Sequence, residues 1–139
     1  LDGDISVDGE PNGVSTQGIL DDPALHRHAE ELMRETIAIG NADLAAAGKS
    51  ERIDARQFVP ELFTRTSQMG QYLTSTLLDL RAGRPMEIEA VVGAVVELAD
   101  RLGVPTPATR GVYSCVKLLD ERRQAARTPA EPPVRSVRL

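Results

Sequence analysis

The stretch Ser75–Gly93, STLLDLRAGRPMEIEAVVG, decides the fold. Leu77, Leu78 and Leu80 run up to a turn, and Ile88, Val91, Val92 and Val95 follow it at helical spacing. Gly83 suits the end of one helix. Pro85 suits the start of the next, where its missing N–H needs no partner. The reading is helix, elbow, helix. Ser75, Asp79, Arg81, Arg84 and Glu87 are then held on either side of a short, rigid corner.

Working outward, the same local punctuation recurs. Asp21 or Asp22 caps a helix with Pro23 in its first turn and Gly48 as its stop. Leu25, Ala29, Leu32, Thr36, Ile39 and Asp43 mark one of its faces, beside Met33, Ile37 and Leu44. His26 and His28 lie two apart, point to different sides and cannot readily share a metal, whereas Glu30 is four from His26 and can pair with it. After a polar loop over 49–53, Asp54 caps a helix bearing Phe58, Leu62 and Phe63, with Pro60 placed to kink or split it. Met69, Leu73, Leu77 and Leu80 predict the next helix, running into the elbow. A strongly apolar helix is expected over Met86–Leu102, with Gly93 allowing close approach of a neighbour. Thr106 is the expected N-cap of a last helix that fades near 124–127.

The ends differ from this middle. Ile5-Ser6-Val7 and Val14-Ser15-Thr16 flank a turn-rich loop and predict a short N-terminal β-hairpin or extended segment over 1–17. Its acidic residues lack EF-hand spacing. The tail beyond 127 is rich in proline and is expected to be disordered. The domain reading is therefore an extension at 1–17, a helical domain at 18–126 and a tail at 127–139.

Composition narrows the function classes. A chain of 139 residues, 41% hydrophobic and 27% charged, is long enough for one core. Aromatics are scarce and tryptophan is absent, so Leu, Val, Ile and Ala must build it, as in a helical bundle. A net charge of -5 argues against a nucleic-acid partner. No apolar run approaches the ~20 residues of a membrane span, and no secretory leader is visible. The single cysteine, Cys115, cannot form an internal disulfide and fits a reducing, cytoplasmic setting. With Val116 and Leu118 beside it, it is expected to be a buried structural thiol.

The 75–93 run resembles the ketopantoate reductase (2-dehydropantoate 2-reductase) pattern Ser-Met-Leu-x-Asp-x-x-x-Gly-Arg-x-Thr-Glu-Ile-(Asp/Glu)-x-x-x-Gly. Gly103-Val104-Pro105-Thr106-Pro107 with Val112–Lys117, and Gly18-Ile19-Leu20 with Asp22-Pro23, resemble two further segments of that family. The likeness covers about residues 18–124 and only the C-terminal half of such an enzyme. It implies an all-α helical bundle similar to the 6-phosphogluconate dehydrogenase C-terminal domain, packed on a nucleotide-binding domain. It also implies that Ser75 matches the substrate-binding serine and Glu87 the glutamate of the Thr-Glu-Ile segment. Tyr72 stands where the family often has a substrate-binding asparagine. With Arg84 these complete the candidate substrate-binding set at the 75–87 elbow.

The departures matter equally. The sequence contains no Gly-x-Gly-x-x-Gly. Its only lysines, Lys49 and Lys117, do not match the family's catalytic lysine helix, and Met86 replaces the usual threonine. No cofactor is expected to bind this chain alone; NADPH is implied only with a separate nucleotide-binding domain. The expectation is the substrate-binding and dimerisation domain of an NADPH-dependent reductase, not redox-competent by itself. Its expected partners are a small-molecule ligand and either a second copy or a separate Rossmann-domain chain. Two other classes fit the same residues: a small cyclase or isomerase reusing the cleft, and a non-catalytic interaction module. An enclosed pocket at the elbow would separate these two.

Overall fold

The computed structural model describes residues 13–127. Among them are six α-helices and no strand: α1 Thr16–Asp21, α2 Pro23–Ala46, α3 Ala55–Ser67, α4 Ser75–Arg81, α5 Ala94–Leu102 and α6 Pro107–Arg127. A π-helical turn, Glu89–Gly93, leads straight into α5. The all-α expectation holds.

The central element is α2, against which α1, α3, α5 and α6 all pack. The Asp22 carboxylate caps it by accepting the N–H groups of Ala24 and Leu25 at 2.9 and 2.8 Å, and Pro23 occupies its first turn. Because neighbours surround α2, its apolar residues do not form the single stripe that periodicity suggests. Ile37 and Ile39, two positions apart, are both buried, whereas Leu25, Thr36 and Asp43 are exposed. Ile88, Val96 and Ala99 close the core from the α5 side and Val59 from α3. Each such burial stabilises the fold by roughly 1.5–3 kcal/mol, less for alanine.

The Asp54 side chain caps α3, which carries Pro60 without splitting and runs on to Ser67. Tertiary contacts hold it together. Val59 is 2% exposed, and the ring of His26 stacks on Phe63 with centroids 4.1 Å apart. His26 therefore does not pair with Glu30, which binds Arg34 instead.

Three sequence expectations are corrected here. The second arm of the expected hairpin, Val14-Ser15-Thr16, is no strand, because the Ser15 hydroxyl caps α1 by accepting the Gly18 N–H. The first arm lies outside the described residues, as does the tail beyond Arg127. The expected helix from Met69 is the second correction: the chain stays non-helical over 68–74 and α4 begins only at Ser75. The carbonyls of Gly70 and Tyr72 are turned toward α1, accepting the N–H groups of Gln17 and Thr16 at 3.2 and 2.9 Å. Gly70 itself takes a left-handed φ of +60°, which interrupts any right-handed helix there. Cys115 is the third: it is exposed, because α6 packs on α2 and the π turn with its other side. Among the described residues, no helix is long and apolar enough to cross a membrane.

Candidate functional site

The elbow is built by a helix stop followed by an anchored extended segment. Past Ala82, the N–H of Gly83 bonds to the Leu80 carbonyl at 3.1 Å and that of Arg84 to the Asp79 carbonyl at 2.8 Å. This is the Schellman arrangement, and Gly83 adopts the φ of +65° that it requires. The Arg84 guanidinium folds back on the same residue, with Nε and Nη2 at 2.8 and 2.7 Å from the Asp79 carboxylate. Asp79 and Arg84 thus close the corner through both backbone and side chain.

Pro85 does not open the next helix, contrary to the sequence reading. The chain runs non-helical over 84–87 and the first helical residue is Ile88. Tertiary structure overrides the local signal. Met86 gives its N–H to Asp120 Oδ1 on α6 at 2.9 Å and buries its side chain to 6% exposure. Ile88 is also buried, at 5%. Glu87, between two buried neighbours, is exposed, and its carbonyl accepts the Val91 N–H that starts the helix. An exposed carboxylate is thereby displayed from an immobilised backbone.

The other predicted site residues precede it in the chain, in the segment before α4, at the start of α4 and just after that helix. Ser75 is exposed at the first position of α4, directly after the Thr74 cap, and not in mid-helix. The Tyr72 ring is 48% exposed, with its backbone held by α1. Among the described residues, no hydrogen bond or ion pair joins any two of Tyr72, Ser75, Arg84 and Glu87. Arg84 differs from the rest in being engaged with Asp79. A groove of 480 Å³ does run past the elbow, lined by Arg81, Ala82, Gly83, Arg123, Ala126 and Arg127. None of the four predicted residues lines it. Tyr72, Ser75 and Glu87 are each exposed and offer a phenol, a hydroxyl and a carboxylate, groups that can hydrogen-bond a small polar molecule.

Two polar clusters escaped the sequence reading. In the first, Glu89 in the π turn accepts the Tyr113 hydroxyl at 2.9 and 2.8 Å, and Lys117 Nζ lies 3.0 Å from Glu89 and 3.3 Å from that hydroxyl. Hydrogen bonds from Lys117 and then Tyr113 hold the Glu89 carboxyl below its ordinary range, and the same contacts push Lys117 upward. Gly93 makes room for the cluster, since a Cβ there would stand 2.5 Å from Glu89 Oε2 and 3.4 Å from the Tyr113 ring. The close approach expected at Gly93 is therefore real. The Tyr-x-x-x-Lys spacing on α6 was a usable signal, but Glu89 stands 24 residues before Tyr113.

The second cluster starts α6. Glu35 of α2 accepts the N–H groups of Ala108 and Thr109 and the Thr109 hydroxyl. Burial would raise the Glu35 carboxyl, but these hydrogen bonds, with the charge of His28, bring it below the usual 4.5. The expected cap, Thr106, is buried with its hydroxyl unpartnered among the described residues. No local signal marks Glu35, which lies 74 residues from Thr109.

Comparison with known proteins agrees with this architecture. The family whose model matches, over residues 12–120, is "Ketopantoate reductase PanE/ApbA C terminal". Three relatives are each named 2-dehydropantoate 2-reductase. That of Mesorhizobium japonicum is 46% identical over 55 residues, covering 40% of this chain and 17% of the relative. That of Nostoc sp. is 29% identical over 119 residues, covering 81% and 35%. That of Pyrobaculum aerophilum is 31% identical over 107 residues, covering 77% and 34%. The chain thus spans about a third or less of the length of these relatives. No solved structure matches it.

Proposed function

Because this chain belongs to the ketopantoate reductase C-terminal family, we propose that it is the substrate-side helical half of an NADPH-dependent 2-oxo acid reductase. The observation that carries this is Glu87, an exposed carboxylate fixed between buried Met86 and Ile88 and tied to α6 through Asp120. Preorganisation of that kind is what orienting a small hydroxylated acid demands. In this reading Glu87 accepts a hydrogen bond from a substrate hydroxyl, and Ser75 donates one to a substrate carboxylate or carbonyl.

The residues at hand do not fit the nucleotide. The sequence has no Gly-x-Gly-x-x-Gly, and the described residues contain no strand to carry one. The reading therefore places NADPH on a separate nucleotide-binding domain, and no hydride step is derived from this chain. A reducing, cytoplasmic setting belongs to the same reading, supported by a chain with one cysteine.

The test is NMR titration of the chain with ketopantoate, with NADPH added separately. Chemical-shift changes centred on Ser75 and Glu87, and lost in Glu87→Gln, are expected from the acid. NADPH alone should shift nothing. Perturbation elsewhere, or tight NADPH binding, would overturn the proposal.

A further inference from the structure

We infer that Tyr113 and Lys117 of α6 are positioning residues for Glu87: they grip Glu89 and so fix the π turn that sets the direction in which Glu87 is presented. This rests on the reading of Glu87 as the carboxylate that meets a small hydroxylated acid.

The residues that do the holding form one row. Tyr113, Lys117 and Asp120 are spaced by four and three, so they share a face of α6. That face meets the segment leading into α5 at two points. Asp120 Oδ1 accepts the Met86 N–H at 2.9 Å. Glu89 accepts the Tyr113 hydroxyl at 2.9 and 2.8 Å and lies 3.0 Å from Lys117 Nζ. Glu87 stands between the two grips, one residue after the first and two before the second. Neither contact involves its side chain, which stays exposed.

The backbone hydrogen bonds widen as this segment enters the helix. The N–H of Ile88 reaches back two residues to Met86, that of Val91 four to Glu87, and that of Ala94 five to Glu89. The last of these closes the π turn, which holds one residue more than an α-helical turn. Register matters for Glu87. An α-helix turns by about 100° per residue, so closing the turn in α fashion would swing Glu87 by about that angle relative to α5. Isolated π turns are rare and concentrate at functional sites, so a tertiary contact has to hold the extra residue in place. Glu89 supplies it by reaching α6 across the bare backbone of Gly93. A Cβ at Gly93 would stand 2.5 Å from Glu89 Oε2 and 3.4 Å from the Tyr113 ring.

Exposure separates this role from support of the fold as a whole. The Glu89 and Lys117 side chains are 65% and 43% exposed. Ion pairs that open to water add little to global stability. Buried Ile37, Ile39, Val96 and Ala99 supply the core instead. The grip is braced locally, with the Lys117 ammonium 3.3 Å from the Tyr113 hydroxyl and 5.4 Å from its ring centroid.

NMR of the 139-residue chain tests this with two readouts, amide exchange at Ala94 and the Kd of ketopantoate from chemical-shift titration. Tyr113→Phe should speed Ala94 exchange and raise that Kd, each by about tenfold, and Lys117→Met should do both to a smaller extent. Glu89→Ala should lose as much as Tyr113→Phe. Glu89→Gln keeps an acceptor for the Tyr113 hydroxyl and should recover most of the loss. Glu35→Gln lowers stability from the other end of α6 and should leave the Kd unchanged. Far-UV circular dichroism checks that each variant is folded. Should Glu89→Ala unfold, Tyr113→Phe against Glu89→Gln decides the matter. A Tyr113→Phe chain with the parent Kd or the parent Ala94 exchange, or an equal rise in Kd for Glu35→Gln, would overturn this inference alone. A parent chain that does not bind ketopantoate would overturn the reading of Glu87 and this inference with it.

Discussion

Glu35 on α2 accepts both the backbone N–H and the hydroxyl of Thr109 on α6, at 2.8 and 2.6 Å. With the Ala108 N–H, also at 2.8 Å, a single carboxylate from another helix caps the last helix of the domain. Replacing it by alanine leaves these donors without their acceptor. We expect Glu35→Ala to lower stability by about 2 kcal/mol, and Glu35→Gln by less, as read from urea unfolding midpoints.

The same contact sets a pH dependence. The Glu35 carboxyl lies below the usual 4.5 in the folded protein, so the unfolded chain takes up its proton first on acidification. Its contribution is fully present above that usual value and is lost as pH falls through the lowered one. The stability gap between wild type and Glu35→Gln should therefore be constant near neutral pH and close below about pH 4.5. A gap that persists unchanged at pH 3 would contradict this.

Gly83→Ala tests the elbow. The new Cβ meets a φ of +65° and would stand 2.6 Å from Arg127 Nη1. The backbone strain should lower stability by about 1 kcal/mol, or roughly 4 °C in Tm for a chain of this size. A variant with unchanged Tm would show that the turn can relax without the left-handed conformation.

Asn41 bridges α2 to the segment before α3, its amide accepting the Ile53 N–H at 2.7 Å and donating to the Ile53 carbonyl at 3.0 Å. Asn41→Ala should lose about 1 kcal/mol. Asn41→Asp should do no better, since a carboxylate cannot donate to that carbonyl. Guanidinium unfolding of the two variants side by side checks both statements.

Met86→Ala removes the buried anchor beside Glu87 and should destabilise the domain by about 2–4 kcal/mol. Asp120→Ala releases only the Met86 N–H and should be milder, about 1–2 kcal/mol. In both, the Val91 amide, which donates to the Glu87 carbonyl at 3.0 Å, should exchange with solvent faster than in the parent chain. Protection as strong as in wild type would mean that Glu87 is not held by these contacts.

Local chemistry carried much of this architecture. Asp22-Pro23, Asp54, Gly48 and Gly83 mark helix starts and stops within a turn of where they occur, because caps and left-handed glycines act over only a few residues. The corner at Gly83 was legible for that reason, whereas the places of Ser75 at a helix start and of Glu87 before one were not, and the pattern around them pointed to the family now matched over residues 12–120.

Contacts between distant residues decided the rest. The turning of Gly70 and Tyr72 toward α1 ended a helix that periodicity would have continued. Asp120 drew Met86 out of a helix that Pro85 would have begun. Glu35 took the capping role from Thr106, and packing one side of α6 on α2 left Cys115 on the surface. None of these has a local period or spacing that records it, because each partner lies tens of residues away. The amino-acid sequence by itself determined where the helices punctuate and which family the chain joins. Only the tertiary structure decided which faces, caps and carboxylates those helices present, since that depends on which distant groups satisfy one another once water is excluded.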